Sequence, residues 1–523
     1  MEKKKAHRIL VVVLVMVISL SSLQCNRKKD DSVKPIDLSK CLALNSSSVD
    51  YFYSKYPELI EYKKQVVSMY QNNNYDFVWY DNEGRKEKAD VIYDKINNFY
   101  EEGVQAKFPY KKTLDSLLEN DQCPLNAEVE LFLSSYYFLY VDKTLKGISN
   151  SKVKELGWYL PRKKQSYVGY LDSILVDPKI IDKKTQNIAQ YYKLKTVLKK
   201  YREISRKGGW STINTLTDFK SIKPGDSSAV VAKIRTRLFL TGDIATDSKS
   251  GIYERSLQLA VLKYKKRNGF TLDKIILKKH IEEMNVPIDK RIRTIIVNME
   301  RCRWIPTELT EAKEYIVVNI PSYRLQYYKK GSIALASNVV VGTTMNRTVI
   351  FSGMMSYIVF SPYWNVPKSI KEKEILPGIE ENSNYLAEHN MEWEGENIRQ
   401  KPGKDNSLGL VKFLFPNNNN IYLHDTPAKT LFNSEKRAFS HGCIRVQKPR
   451  ELAILILEND SNWSPEKIDE AMNKGEETWV TLKRKIPVYI GYFTAFVDEQ
   501  GDINFYKDIY EKDSRLAAML VEE

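Results

Sequence analysis

The spacing of apolar residues changes character twice along the chain. From about residue 40 to 215 it predicts helices: Ile188 to Tyr201 repeats apolar residues three and four apart, and Val129 to Leu145 is dense in Leu, Phe, Tyr and Val. Glycine is sparse there, and Pro109, Pro124 and Pro161 mark helix ends. Pro224-Gly225-Asp226 is turn chemistry and opens a second unit. Asp226 or Ser227 stands where it caps a helix carrying Val230, Ile234 and Leu238, which Gly242 ends. Gly251 precedes a helix with Leu257, Val261 and Tyr264 on one face, closed by Asn268-Gly269, and Leu277 to Met284 predicts a third. These apolar stripes are the core of a small three-helix module rather than a ligand box.

From Tyr315 onward the texture becomes β. Tyr315 to Ile320, Tyr323 to Tyr328, Ser332 to Gly342, Ser356 to Phe360 and Ile421 to Leu423 are rich in Val, Ile and Tyr. Between Ser369 and Gly403 the chain turns polar and charged, which predicts a helical insertion placed as a lid. Pro449 and Ser464-Pro465-Glu466 open two further helices. Trp479 to Leu482 and Val488 to Val497 read as closing strands.

The 523 residues exceed one ordinary core, so a multidomain α+β chain is expected. Its parts are a signal or anchor at 1–25, a tether at 26–44 and a helical scaffold domain at 45–215. The three-helix module at 222–286 and a linker at 287–314 follow, then a mostly-β domain at 315–497 with its lid at about 369–403, and a tail at 498–523. Apolar residues at 42% argue against general disorder. The formal charge of +15 suits an anionic partner, whether nucleic acid, a phospholipid surface or a carboxylate-rich cell-wall polymer. No basic run interleaved with glycine and aromatics marks a nucleic-acid module, so nucleic acid is not expected as a partner.

Lys3, Lys4, Lys5 and Arg8, then the apolar run Ile9 to Leu20, form the layout of a secretory signal. An exported chain held at the membrane is expected, either by this segment as an anchor or by lipid on Cys25. Gln24 stands before Cys25 where a small residue is usual, so both attachments stay open. Cys41 and Cys123 are free to pair, whereas Cys302, between bulky neighbours, reads as a core residue.

Of five histidines, two fall within twenty residues of one cysteine: Tyr422-Leu423-His424-Asp425, then Ser440-His441-Gly442-Cys443-Ile444-Arg445. A cysteine becomes a nucleophile when a nearby base or positive field favours its thiolate. His424, at the rim of a strand, is the candidate base for Cys443, oriented by the Asp425 backbone carbonyl or its carboxylate. Gly442 lets the backbone approach a substrate, and the N–H groups of Gly442 and Cys443 are candidate oxyanion donors. A zinc site on His424, His441 and Cys443 is the rival reading, but it shows no fourth ligand, and no metal or cofactor is expected. Tyr422 and Trp364 are aromatic residues near the site in sequence, placed for substrate stacking or for core packing.

His424 followed at this distance by Ser-His-Gly-Cys-Ile-Arg resembles the signature of the L,D-transpeptidase (YkuD-type) catalytic domain. Asn298 to Pro306, Val318-Asn319-Ile320-Pro321, Pro362 to Pro367 and Leu423 to Pro427 are similar to the large, YcbB-like murein L,D-transpeptidases. The resemblance makes the module at 222–286 peptidoglycan-binding-like, although Tyr264 replaces a glutamine common in such modules. It implies acyl transfer by Cys443 with loss of D-alanine from a tetrapeptide stem, then 3→3 cross-linking by a neighbouring stem. It also implies glycan strands and stem peptides as partners, carbapenem-type β-lactams as inhibitors, and a periplasmic setting. His441 is then expected beside the oxyanion site, and Arg445, with Ser440, Tyr422 and Trp364, on the substrate side. A carboxypeptidase or endopeptidase of the same fold, and a non-catalytic wall-binding scaffold, are the alternatives.

Overall fold

The computed structural model describes residues 43–104, 107–119, 125–162, 167–176 and 186–522. The expected N-terminal signal with Cys25, most of the tether, and Cys41 and Cys123 lie outside the described residues. Among the described residues no helix is long and apolar enough to cross a membrane.

The N-terminal region is helical. Asn45 caps the helix Ser46–Lys55 by accepting from Ser48 N. Ala127–Val141, apolar around most of its circumference, is buried along nearly its whole length, with Glu130 and Ser134 bonded to Tyr70 and Trp79. Helices from residue 44 to 171 close around it into one core. The helix Ala189–Arg206 leaves that core. Its stripe Tyr191, Leu194, Leu198 and Tyr201 packs with the helix Ile288–Arg303 and the sheet beyond.

The three-helix module forms as expected, with Ala229–Thr241, Arg255–Arg267 and Lys278–Met284 around Ile234, Leu257 and Ile281. Its first cap differs. Ser228 is the N-cap, bonded to Val231 N at 3.3 Å, while Asp226 builds the preceding turn by accepting from Lys223 N.

The large sheet comprises β1 (Glu314–Asn319), β2 (Arg324–Lys329), β3 (Ser332–Gly342), β4 (Ser352–Phe360), β5 (Val411–Leu414), β6 (Leu423–His424), β7 (Ala438–Ser440), β8 (Ile444–Val446) and β9 (Thr478–Gly491). Their order is β7-β3-β8-β6-β5-β4-β9-β1-β2, and β2 also pairs with β3, closing a ring. Ring closure removes exposed strand edges. One lateral row, Ile444, Leu423, Phe413, Ile358 and Val480, is paired strand to strand and faces the core.

Three expectations are corrected. The linker at 287–314 is largely the helix Ile288–Arg303, buried over its C-terminal half. There Glu300 accepts from Ile148 N, Trp304 Nε1 and Arg303 Nη1 at 2.7, 2.8 and 2.6 Å. Arg303 also donates to the backbone carbonyls of Thr144 and Glu102. Arg301 pairs with Asp513, and Cys302 is buried as expected. Gly147, at φ +69°, lets the chain pass against Glu300; a Cβ there would lie 2.0 Å from Oε1. The lid is mixed rather than helical. Short helices precede the hairpin Met391–Glu394 and Asn397–Gln400, because Met391 and Ile398 point onto Val366, Ile370 and Ile375 in a small core of their own. The tail supplies the strand Ile503–Phe505 and the helix Lys512–Glu522, whose Leu516 is buried in the main core.

Candidate active site

The sheet register builds the site. Directly paired residues share a face of a sheet. Arg445 on β8 pairs with His424 on β6, His424 with Lys412 on β5, and Lys412 and Trp479 each with Val359 on β4. Arg445, His424, Lys412 and Trp479 therefore lie in one row, on the face opposite the apolar row. Cys443 immediately precedes β8, two residues before Arg445, and so stands beside that row, level with Tyr422 ahead of β6. Ile444 N donates to Tyr422 O at 3.1 Å and ties the two strands there.

The turn before Cys443 is held from inside. Ser440 Oγ donates to Cys443 O and accepts from Gly442 N at 3.2 Å. Thr348 Oγ1 donates to Gly442 O at 2.8 Å and accepts from Gly342 N at 2.9 Å. Tyr510 Oη completes the brace, donating to Gly342 O at 2.7 Å and accepting from Thr348 N at 3.1 Å. Gly442 has φ +119°, a backbone conformation costly for any residue with a Cβ.

The Cys443 side chain donates to Asn420 O at 3.5 Å. Burial pushes its thiol above the ordinary value, opposed by the Tyr422 backbone and hydroxyl and by Arg445. His424 is buried, its ring edge-on to Tyr422 at 5.6 Å. Burial, reinforced by Arg445, lowers its imidazole from 6.5 to about 3, against the carbonyls of Asp425 and Leu408. His424 Nδ1 and Arg445 Nε are both buried without a hydrogen-bond partner. The resting pair is thus neutral thiol and neutral imidazole, and the guanidinium has a donor to spare.

Several expected site residues stand elsewhere. The Asp425 carboxylate does not orient His424: Oδ2 accepts from Leu410 N at 3.0 Å and Oδ1 pairs with Lys429. Gly409 makes room for it, since a Cβ there would lie 2.4 Å from that carboxylate. Ser440 is buried, and its hydroxyl holds the turn. Gly442 N–H is taken up by Ser440 Oγ, which leaves the Cys443 N–H as the remaining expected oxyanion donor. His441 turns outward, its Nε2 3.2 Å from Glu374 Oε1 of the insertion. Trp364 pairs with Gln400 and packs against the insertion's own core. Among the described residues no group of three or more His, Cys, Asp or Glu is arranged to hold a metal ion.

Lys412 was missed by sequence reasoning. It is largely buried, with Nζ 3.3 Å from Glu477 Oε1 and 5.5 Å from the Trp479 ring centre. Its signal was present: a lone lysine in the otherwise apolar run Val411-Lys412-Phe413-Leu414.

Residues 313–480 match the family model described as the L,D-transpeptidase catalytic domain, YkuD. Residues 64–198 match a model described as a scaffold domain. A Haemophilus influenzae protein named "Putative L,D-transpeptidase" is 34% identical over 257 residues, 45% of this chain and 51% of the relative. The chain thus spans about half the length of that relative. An Enterococcus faecium L,D-transpeptidase mutant structure is 14% identical with a TM-score of 0.19, covering 34% of this chain and 50% of that one. A Mycobacterium smegmatis L,D-transpeptidase structure is 11% identical with a TM-score of 0.20, covering 34% and 59%. Residues 313–480 are therefore similar to the L,D-transpeptidase catalytic domain of the YkuD type.

Proposed function

We propose that the chain cross-links peptidoglycan by cysteine acyl transfer. Cys443 Sγ attacks the carbonyl that joins the third residue of a tetrapeptide stem to its terminal D-alanine. The thiol proton passes to His424, the C–N bond breaks, and His424 returns the proton to the departing D-alanine amine. The thioester then meets the side-chain amine of a neighbouring stem. A new amide forms, Sγ leaves, and the result is a 3→3 link. The N-terminal signal layout supports export to the periplasm and attachment to the membrane.

The observation that carries this reading is Arg445, with its unpartnered Nε, beside both Cys443 and His424. Its charge favours the thiolate but opposes protonation of His424. A stem peptide brings a carboxylate. Placed on Arg445, that carboxylate takes up the spare donor and offsets the positive field on the imidazole. The base is then armed only when substrate is bound, and the resting thiol stays protonated.

Incubation of the protein with disaccharide-tetrapeptide tests the proposal. The expected products are cross-linked dimer and D-alanine. Tripeptide without dimer would point to hydrolysis of the same thioester, and binding without turnover to a scaffold. Cys443→Ala should lose turnover by about a thousandfold or more. A carbapenem should add one covalent mass to the wild type and none to Cys443→Ala.

A further inference from the structure

The scaffold half holds a cavity of about 590 Å³ that includes no residue of the catalytic row. It opens between the helix Ala189–Arg206 and the segment Phe99–Glu102. Volumes of this order suit a small molecule of one or two rings.

Its lining is unusual for a void between helices. Glu102 lies at the floor, held by Tyr191 Oη and Lys195 Nζ, each at 2.6 Å. Asn187 is 4% exposed, and its Oδ1 is buried without a partner. Tyr100 and Tyr192 give the walls aromatic faces, and Arg202 lies over the Tyr100 ring at 5.5 Å. Along the lining helix, Lys195, Lys199, Arg202 and Arg206 recur at i, i+4, i+7 and i+11, so they share one face. Lys195 is spent on Glu102, whereas Lys199 and Arg206 have no ion-pair partner among the described residues.

Glu101 and Glu203 also line the cavity, outnumbered by its cations, and the groups named above point to one kind of ligand. Aromatic faces take the C–H surface of a sugar ring. An orphaned amide oxygen and a fixed carboxylate accept from hydroxyls, and leaving such a buried acceptor empty is costly. Unpaired cations at the mouth take an anion. An extended peptide, by contrast, needs a through-running groove or a sheet edge to satisfy its backbone. We propose that this cavity is a binding site for a carboxylate-bearing saccharide, separate from the catalytic row.

The site is tested on the full chain carrying Cys443→Ala, so that no turnover occurs. Calorimetric titration uses the peptide-free disaccharide of N-acetylglucosamine and N-acetylmuramic acid, with neutral di-N-acetylchitobiose as control. The acidic sugar should bind at least tenfold more tightly than the neutral one. The double variant Lys199→Glu/Arg206→Glu, both exposed and outside any core, should abolish that difference with an unchanged melting temperature. No binding up to millimolar sugar, equal affinity for the two sugars, or affinity unmoved by the double variant would each overturn the proposal. Loss of cross-linking in the wild type would instead count against the acyl-transfer reading.

Discussion

Two regions bury charge, and they treat it in opposite ways. On the helix Ile288–Arg303, Glu300 meets three donors and Arg303 adds two backbone carbonyls to its carboxylate partner. In the row of Arg445, His424, Lys412 and Trp479, Arg445 Nε is buried with no hydrogen-bond partner, and His424 meets only the backbone carbonyls of Asp425 and Leu408. A buried polar group left unmatched costs free energy that folding alone does not recover. Buried polarity that is fully matched joins domains. Buried polarity left open is held for something that arrives later.

The contrast breaks first at Glu300. Glu300→Ala strands Arg303, Trp304 Nε1 and Ile148 N at once, and it should lower unfolding free energy by about 3–5 kcal/mol. Urea titration checks this; a loss below about 1 kcal/mol would mean that the matched network is not structural. The catalytic row should behave in the reverse sense. Arg445→Ala should reduce kcat/KM by about 10–100-fold, mainly through KM, while removing an unmatched donor and so leaving the melting temperature equal or higher. A variant that fell in stability with KM unmoved would place Arg445 among the structural charges.

Titration sharpens the same comparison. The folded imidazole of His424 sits at about 3 against 6.5 when unperturbed, so the unfolded chain binds the proton more readily in between. Stability is therefore full above about 6.5 and falls as pH drops toward about 3, by at most about 1.4 kcal/mol per pH unit. His280 in the module, lowered by burial to about 4, acts with the same sign. The test is accordingly a difference: denaturant midpoints at pH 4.5 and 7.5 should converge more in His424→Gln than in wild type. The smallest effect belongs to Glu435, in the loop between His424 and Cys443. It accepts from Thr271 N and Oγ1 and pairs with Lys279 of the module. Such a partly exposed contact should contribute under about 1 kcal/mol, so Glu435→Ala should shift the melting temperature slightly and leave turnover intact.

Where local pattern decides structure, the sequence was legible. The three-helix stripes became helices, and the alternating runs from Tyr315 to Gly342 became the first three strands. Cys443 and His424 stood out as candidates because their residue types and spacing are rare. What escaped depends on partners distant in sequence. Glu300, Arg301 and Arg303 look like a solvated helix face until residues 102, 144, 148 and 513 are brought to them. Of the two routes expected for Asp425, its backbone carbonyl acts on His424, while Leu410 and Lys429 take its carboxylate. Lys412 joins the row only through the register of β5 on β6.

The brace on Gly442 bears on where the protein can be cut. Every residue assigned a chemical step lies before position 446, and the last strand of the large sheet ends at Gly491. A fragment stopping at 497 would look complete on both counts. It would nevertheless lose Tyr510, whose hydroxyl ties Gly342 and Thr348 together beneath the turn that presents Cys443. Such a fragment should keep its β-sheet circular dichroism yet acylate slowly with a β-lactam: Tyr510 serves as the gauge that sets the height of Cys443.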